Sequence, residues 1–228
     1  MPENDRVVRV ACGRLSEDGR YAGSDLANVF RLQGVERGVL QLLAEHGVVS
    51  LREKRILEIG CGTGHWLREF VKWGADPATV AGLDVQPDRI AVARRRCPVG
   101  TRLVRGNGAD LPFPDGDFDV VALFTLFTSL HDPELKRRVA GETMRVLKSR
   151  GLVLWYDFHI GNPRNPDVRA VGRREIGGLF PGSSITLRRV TLAPPIARFI
   201  APRSWSLCTM LDAIPLLRTH YLGAIRKP

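Results

Sequence analysis

Short apolar runs alternate with amphipathic segments through the middle of the chain. Three segments carry apolar residues at helical spacing: residues 65–73, 87–96 and 133–147. Five runs have the length and composition of buried strands: residues 56–59, 80–84, 103–104, 120–124 and 152–156. Because these strands and helices alternate, the pattern predicts a parallel, doubly wound α/β sheet.

The region before this sheet is predicted to form a helix. Ser24 or Asp25 can cap its start, and an apolar stripe continues to about residues 46–47. Gly34 and Gly38 interrupt the stripe and indicate a break into two helices. Residues 1–22 show weak periodicity and are predicted to be an irregular lead-in.

The region after residue 160 adds a helix over 168–179 and two further strands, at 185–192 and 219–226. We expect these two strands to form an antiparallel edge, which gives a seven-stranded sheet that is otherwise parallel. Between them, Ala193-Pro194-Pro195 opens an apolar insertion that extends to residue 218.

The length suits one domain over residues 1–228. Its predicted parts are an N-terminal helical cap (1–50), a core that binds a ligand (51–160) and C-terminal strands (161–228) with a helical insertion at 193–218. No apolar run approaches the roughly 20 residues that span a bilayer, and Met1–Val10 lacks a signal-peptide core. We therefore expect a cytoplasmic protein.

The net charge and the cysteine spacing limit which binding partners and metal ions are expected. The net charge is +10, from 34 basic and 24 acidic residues, and a basic surface can face nucleic acid, anionic membrane or anionic substrates. The arginines are scattered, and Arg94–Arg96 is the longest run, so we expect a solvated basic face and no nucleic-acid partner. The cysteines have no ligand-like spacing, which predicts free thiols and no metal site: Cys12, Cys61, Cys97 and Cys208.

A glycine-rich turn follows the first strand. Gly60, Gly62 and Gly64 allow tight turning and remove the Cβ atoms that would keep a ligand away, and a helix starts at His65. A P-loop would need Gly-Lys-Ser/Thr here, and the dinucleotide fingerprint needs its third glycine one residue later. The turn therefore predicts a nucleotide-type site of another kind.

Two acidic residues specify the ligand. Glu58, just before the turn, would repel a pyrophosphate but suits a cationic amino group. Asp84, at the end of the second strand, can accept hydrogen bonds from both ribose hydroxyls. Both features together predict S-adenosyl-L-methionine.

Residues from about 55 to 158 resemble a class I S-adenosylmethionine-dependent methyltransferase of the small-molecule type, with a Rossmann-like sheet. The matching stretches are 58–64, Gly82-Leu83-Asp84, 111–119 (LPFPDGDFD), 142–148 (ETMRVLK) and Gly151. The resemblance implies that residues 60–62 lie along the methionine part, Asp84 holds the ribose and Asn107 caps the adenine. It implies these cofactor-binding residues: Glu58, Gly60, Cys61, Gly62, Asp84, Val85, Asn107, Gly108 and Phe124.

The chain departs from the family pattern at the adenine position. The family usually has Gly-Asp-Ala, whereas this chain has Gly106-Asn107-Gly108. An asparagine oxygen can still accept a hydrogen bond from the adenine amino group. We therefore expect weaker cofactor affinity rather than its loss.

The acceptor is expected beside the carboxyl ends of the fourth and fifth strands, where open α/β sheets bind ligands. His131, Asp157 and His159 are the candidate catalytic residues, because each could take a proton from an acceptor hydroxyl. His131 could instead belong to a helix start, and Asp157 could pair with an arginine. Tyr21 and Phe30 are predicted to close over the cofactor.

The predicted reaction is methyl transfer to a small-molecule or glycan-type acceptor, on a hydroxyl. Two alternatives stay open: RNA or protein methylation, and a cofactor-binding partner protein without catalysis. Against RNA, the Asn/Asp-Pro-Pro-Tyr tetrad of amino methylation is replaced after the fourth strand by Phe124-Thr125-Leu126-Phe127. The insertion at 193–218 could cover the sheet, form a homodimer face, act as a lid or contact a membrane surface.

Overall fold

The computed structural model describes residues 25–161 and 169–227, which contain one seven-stranded sheet. The strands, in chain order, are β1 (Ile56–Ile59), β2 (Val80–Asp84), β3 (Arg102–Arg105), β4 (Phe118–Phe124), β5 (Leu147–Phe158), β6 (Ser184–Leu192) and β7 (Arg218–Arg226). Their order across the sheet is β3-β2-β1-β4-β5-β7-β6. Strands β1 to β5 are parallel and β7 is antiparallel to both its neighbours, so the predicted sheet and its antiparallel edge are confirmed.

Seven α-helices are seen in the described part of the chain. They are α1 (Leu26–Glu45), α2 (His65–Lys72), α3 (Pro87–Arg96), α4 (Pro133–Val146), α5 (Arg173–Leu179), α6 (Pro194–Ile200) and α7 (Trp205–Asp212). The carboxylate of Asp25 caps α1 and that of Asp132 caps α4, each by accepting the N–H two residues on. Short 3₁₀ turns occur at 77–79, 127–129 and 215–217.

Apolar layers cover both faces of the sheet. Within β1, Ile56 contacts the layer that contains α1 and α2, while Leu57 and Ile59 contact the layer that contains α4. All four residues of β1 are buried, as expected of a central parallel strand. The two layers fix the carboxyl ends of β1, β2 and β4 side by side at one edge.

Helix α1 is continuous, so the predicted break at Gly34 and Gly38 is wrong. Gly38 is needed for close packing rather than for a turn, because a Cβ there would lie 2.6 Å from Leu222 Cδ2 on β7. A Cβ at Gly34 would meet nothing within 4 Å. Tertiary contact with the sheet thus holds the helix through two residues of low helix propensity.

Two other boundaries differ from the sequence pattern. The helix predicted over 133–147 ends at Val146, and β5 begins at Leu147, five residues before the predicted strand at 152–156. Arg150 has a φ of 62°, and three extra residues bulge between the pairs Phe118–Leu147 and Val120–Leu152. Helix α5 begins at Arg173, later than predicted, while residues 1–22, including Tyr21, lie outside the described residues.

The segment between β6 and β7 contains α6, α7 and a 3₁₀ turn, and its inner face packs on α1. Phe30 and Ala27 of α1 share an apolar cluster with Leu192, Ala197 and Cys208. In the described residues, no helix is long and apolar enough to cross a bilayer. Cys61, Cys97 and Cys208 are free thiols.

Candidate active site

The glycine turn after β1 is tied to the end of β2. Gly60, Gly62 and Gly64 have φ values of 78°, 54° and 77°. This is left-handed backbone, which residues with a Cβ atom rarely adopt. The amides of Gly60 and Cys61 both donate to the Leu83 carbonyl, at 2.7 and 3.0 Å. The turn is therefore a fixed cradle with exposed backbone rather than a mobile loop.

Asp84 holds this cradle from the neighbouring strand. Its Oδ2 accepts from the Gly62 amide at 2.8 Å, and its Oδ1 accepts from the Gln86 amide at 2.9 Å. A carboxylate has about four lone-pair positions, so each oxygen can still accept one ligand hydroxyl. The geometry fits a vicinal diol such as that of a ribose.

Glu58 presents a buried carboxylate below the turn. Its Oε2 has no hydrogen-bond partner among the described residues, although the side chain is only 2% exposed. Burial raises the pKa of Glu58, and the neighbouring carboxylate of Asp84 raises it further. An unpartnered buried oxygen of this kind fits a cationic amino group as its donor.

Asn107 lies at the next carboxyl end, after β3. Its Oδ1 accepts from the Ala109 amide at 3.0 Å, which forms a tight turn. A Cβ at Gly108 would lie 2.9 Å from Ile59 Cγ2, so the alanine usual in the family pattern would require the Ile59 side chain to shift. Val85, directly after Asp84, is half-buried.

The loop after β4 covers the cradle from the other side. Thr125 has a φ of 54°, which is strained for a β-branched residue, and its amide donates to the Tyr156 carbonyl. Leu126 Cδ1 lies only 3.0 Å from where a Cβ of Gly60 would be. The Phe124 ring packs against Trp66 at 4.7 Å between centroids. Sequence reasoning missed Thr125 and Leu126, since no local pattern marks a strained residue.

The same segment of the chain is similar to known proteins. Residues 56–151 match the model of a family described as a methyltransferase domain. The chain is 36% identical over 108 residues to a demethylmenaquinone methyltransferase from Thermus thermophilus. The aligned residues make up 46% of this chain and 47% of that protein. The matched segment contains the cradle, Asp84 and Asn107. The matched segment, residues 56–151, is a methyltransferase domain of the class I, S-adenosylmethionine-dependent type.

Two further matches define the extent of the likeness. The chain is 38% identical over 105 residues to a fatty-acid O-methyltransferase from Mycolicibacterium smegmatis. The match spans 46% of this chain and 37% of that protein. The fold matches an S-adenosylmethionine-dependent methyltransferase from Thermotoga maritima with a TM-score of 0.65 at 17% identity, over 96% of this chain and 100% of the other. The aligned part is less than half the length of either curated relative.

S-adenosyl-L-methionine is the cofactor of class I methyltransferase domains, and the glycine cradle with its two acidic residues fits it. The nine cofactor-binding residues named from the sequence lie at the carboxyl ends of β1, β2, β3 and β4 or directly after them. Their individual contacts with the cofactor stay predictions.

Asp157, a predicted catalytic residue, is completely buried at the end of β5. Its carboxylate accepts from Trp155 Nε1 at 2.7 Å, from Thr128 Oγ1 at 2.6 Å and from the amides of Phe127 and Thr128. Burial raises its pKa to about 7, against the effect of these hydrogen bonds. This side chain fixes the 3₁₀ turn after β4, and a catalytic role stays a prediction.

The two predicted histidines occupy different positions. His131 is exposed and precedes Asp132, the cap of α4. His159 follows β5, and its Nε2 lies 3.0 Å from the Arg218 carbonyl. Because a carbonyl only accepts, Nε2 carries the hydrogen and Nδ1 is left as an acceptor. Burial lowers the pKa of His159, which keeps that acceptor available at neutral pH.

His65 is a further residue at this edge that sequence reasoning did not select. It is the first residue of α2, directly after the cradle, and its ring contacts Trp66 edge-on at 5.0 Å. Burial lowers its pKa to about 4, and the charges of Arg68 and Arg31 act in the same direction. The ring is therefore neutral at pH 7, and its position after Gly64 was the signal available in the sequence.

Proposed function

We propose that this protein transfers a methyl group from S-adenosyl-L-methionine to a hydroxyl of a small-molecule acceptor that has an apolar portion. The observation that carries the proposal is the unpartnered, buried carboxylate of Glu58 beside a glycine cradle that Asp84 holds in place. In this proposal Glu58 receives the cofactor's amino group, and the backbone of residues 60–62 follows its methionine part. Asp84 and Val85 contact the ribose, Asn107 and Gly108 contact the adenine, and Phe124 contacts the cofactor on the side that faces the acceptor.

The chemistry requires alignment above all. The bound cofactor supplies a methyl group on a sulfonium sulfur. In the transfer, the acceptor oxygen would form its bond to that carbon as the carbon–sulfur bond breaks, and the hydroxyl proton would pass to a base of the protein. The rigid cradle and the strained Thr125 loop would hold the two reactants in line. His131 or Nδ1 of His159 would receive the proton.

The apolar portion of the acceptor is inferred from the segment between β6 and β7. Large apolar side chains are exposed there: Phe199, Trp205, Leu207, Met210, Ile214 and Leu216. Two relatives carry the names of enzymes for a menaquinone precursor and for fatty acids, which supports an apolar acceptor. We propose that this surface contacts the acceptor's apolar part or the membrane that contains it; a homodimer face is the alternative, and a glycan-type acceptor would leave it unused.

A labelled-methyl transfer screen tests the proposal. The purified protein is incubated with methyl-labelled S-adenosylmethionine and cell extract separated into lipid, small-metabolite, glycan and RNA fractions. We expect label in the lipid or small-metabolite fraction. Label confined to RNA would refute the proposal, and cofactor binding without transfer to any fraction would favour a non-catalytic partner protein.

Two glutamate variants test separately whether Glu58 binds the cofactor. Glu58→Gln keeps the size of the side chain but removes the charge, and we expect at least about tenfold weaker cofactor binding. Glu53→Gln makes the same change at an exposed position and should leave binding unchanged. Equal affinities in both variants would remove Glu58 from the cofactor site.

A further inference from the structure

A cavity of 680 Å³ lies between α1 and β6, with residues of the segment between β6 and β7 as its third wall. Five arginines line it, and we call it the arginine groove: Arg31, Arg37, Arg188, Arg189 and Arg218. Helix α1 and strand β6 supply four of these arginines, and β7 supplies Arg218. The groove is separate from the glycine cradle.

Only part of this positive charge is compensated. Arg188 donates to Glu45 Oε1 at 2.6 Å, and Arg218 lies 3.6 Å from Asp212 Oδ2. In residues 25–161 and 169–227, no carboxylate lies within ion-pairing distance of the other three arginines, Arg31, Arg37 and Arg189. Arg31 donates to a neutral amide oxygen, that of Asn28, at 2.8 Å. Like charges held together in a concave surface favour an anion.

The groove reaches the edge of the sheet where methyl transfer is proposed. The hydroxyl of Tyr156 on β5 lies 3.0 Å from Thr191 Oγ1, and Thr191 lines the groove. The Tyr156 ring lies 6.5 Å from that of Phe124 at the end of β4. Burial raises the pKa of Tyr156 while the charge of Arg31 lowers it, so Arg31 lies close to this polar pair.

We propose that the arginine groove binds an anionic group, a carboxylate or a phosphate, at one end of an elongated acceptor. This inference rests on the proposed function. Strands β4 and β6 are three strand spacings apart, or about 14 Å, so the anion would lie about that far from the methylated oxygen. The aromatic and apolar side chains between the two positions would contact the middle of the acceptor.

Gly34 makes the groove testable without loss of the fold. It lines the groove, has ordinary helical backbone, and a Cβ there would meet nothing within 4 Å. A leucine at this position would extend into the groove, and it also has a higher helix propensity than glycine. Gly141 on α4 has the same free surroundings outside the groove, so Gly141→Leu is the matched control.

The experiment measures binding of four probes to the full chain by calorimetry: octyl phosphate, octanoate, octanol and inorganic phosphate. We expect the two anionic amphiphiles to bind, and Gly34→Leu and Arg37→Gln each to weaken binding at least about tenfold. Gly141→Leu and Arg95→Gln, an exposed arginine on α3, should bind as the unaltered protein does. A preference for octyl phosphate or for octanoate identifies the anion.

Three results would overturn the inference: octanol bound as tightly as the anions, no binding of either anion, or equal binding by Gly34→Leu and the unaltered protein. S-adenosylmethionine affinity is measured for the same variants. If the groove variants keep their cofactor affinity but lose anion binding, the result supports the arginine groove as the anion site. Retained anion binding with no methyl transfer to any extract fraction refutes the proposed function but leaves the groove in place.

Discussion

The Gly62 amide donates a 2.8 Å hydrogen bond to Asp84 Oδ2 and so ties the glycine cradle to the end of the neighbouring strand. The other carboxylate oxygen accepts from the Gln86 amide, directly before α3. One side chain thus fixes two backbone segments and still has lone pairs for a ligand. This arrangement fixes the backbone of the proposed cofactor site before any ligand binds.

Replacing Asp84 by asparagine should therefore weaken cofactor binding. An amide has one acceptor oxygen, so its NH₂ group would face either the Gly62 or the Gln86 amide. We expect at least about tenfold lower S-adenosylmethionine affinity and a loss of about 1–2 kcal/mol in the free energy of unfolding. Calorimetry and urea denaturation measure these, with Asp88→Asn, an exposed change on α3, as the control. Unaltered affinity would contradict the role given to Asp84.

Asn107→Asp should strengthen cofactor binding. The asparagine oxygen already accepts from the Ala109 amide, whereas an aspartate would have a second, charged oxygen for the adenine amino group. We expect about fivefold tighter binding, corresponding to one better hydrogen bond. Adenosine alone should gain the same factor if the contact is with the adenine. No tightening for either ligand would refute the idea.

His131→Ala should lower turnover and leave cofactor affinity intact, because His131 lies beyond the loop that covers the cradle. A lost general base would reduce turnover at least about a hundredfold. The assay uses the acceptor fraction found in the methyl-transfer screen. His46→Ala is the control, because His46 caps the other end of α1, near Arg226. Unchanged turnover would remove His131 from the site.

The raised pKa of Asp157 predicts how the free energy of unfolding depends on pH. Its pKa is raised by burial to about 7 in the folded protein, while in the unfolded chain it is about 3.8. Between these values the folded state binds the extra proton, so the free energy of unfolding decreases as pH rises and levels off above about 7. Asp157→Asn cannot titrate and should lack this component.

Urea denaturation at pH 5 and pH 8 checks this prediction. From the lower to the higher pH the unaltered protein should lose on the order of 2 kcal/mol relative to Asp157→Asn. Equal pH dependence in both proteins would mean that the four hydrogen bonds to Asp157 outweigh its burial and keep it ionised.

Gly34 and Gly38 should respond oppositely to alanine. Gly34→Ala gains helix propensity with no contact to disturb, and we expect stabilisation of roughly 0.8 kcal/mol. Gly38→Ala would place a Cβ 2.6 Å from the buried Leu222 and should unfold with about 1–3 kcal/mol less free energy than Gly34→Ala. Thermal melts of the pair measure the difference, and equal melting temperatures would contradict the packing argument.

Features set by neighbouring residues were predictable from the sequence. The bounds of β2 and α3 agree with the prediction, because alternation of apolar runs and helix spacing is local. The glycine cradle was also predictable, since left-handed backbone needs glycine at those positions. The bulge at residues 149–151 was not, because it is formed by pairing with Phe118 and Val120, about thirty residues away.

By itself, the sequence determined the sheet, the cradle and the identity of the methyl donor. Only the tertiary structure decided that Asp157 is buried under four donors, and that Arg31, Arg189 and Arg218 line one groove. The physical reason is that β7 inserts between β5 and β6 and α1 packs across them, so residues far apart in the chain meet. No local pattern of apolar and polar residues encodes that meeting, because it depends on strand order.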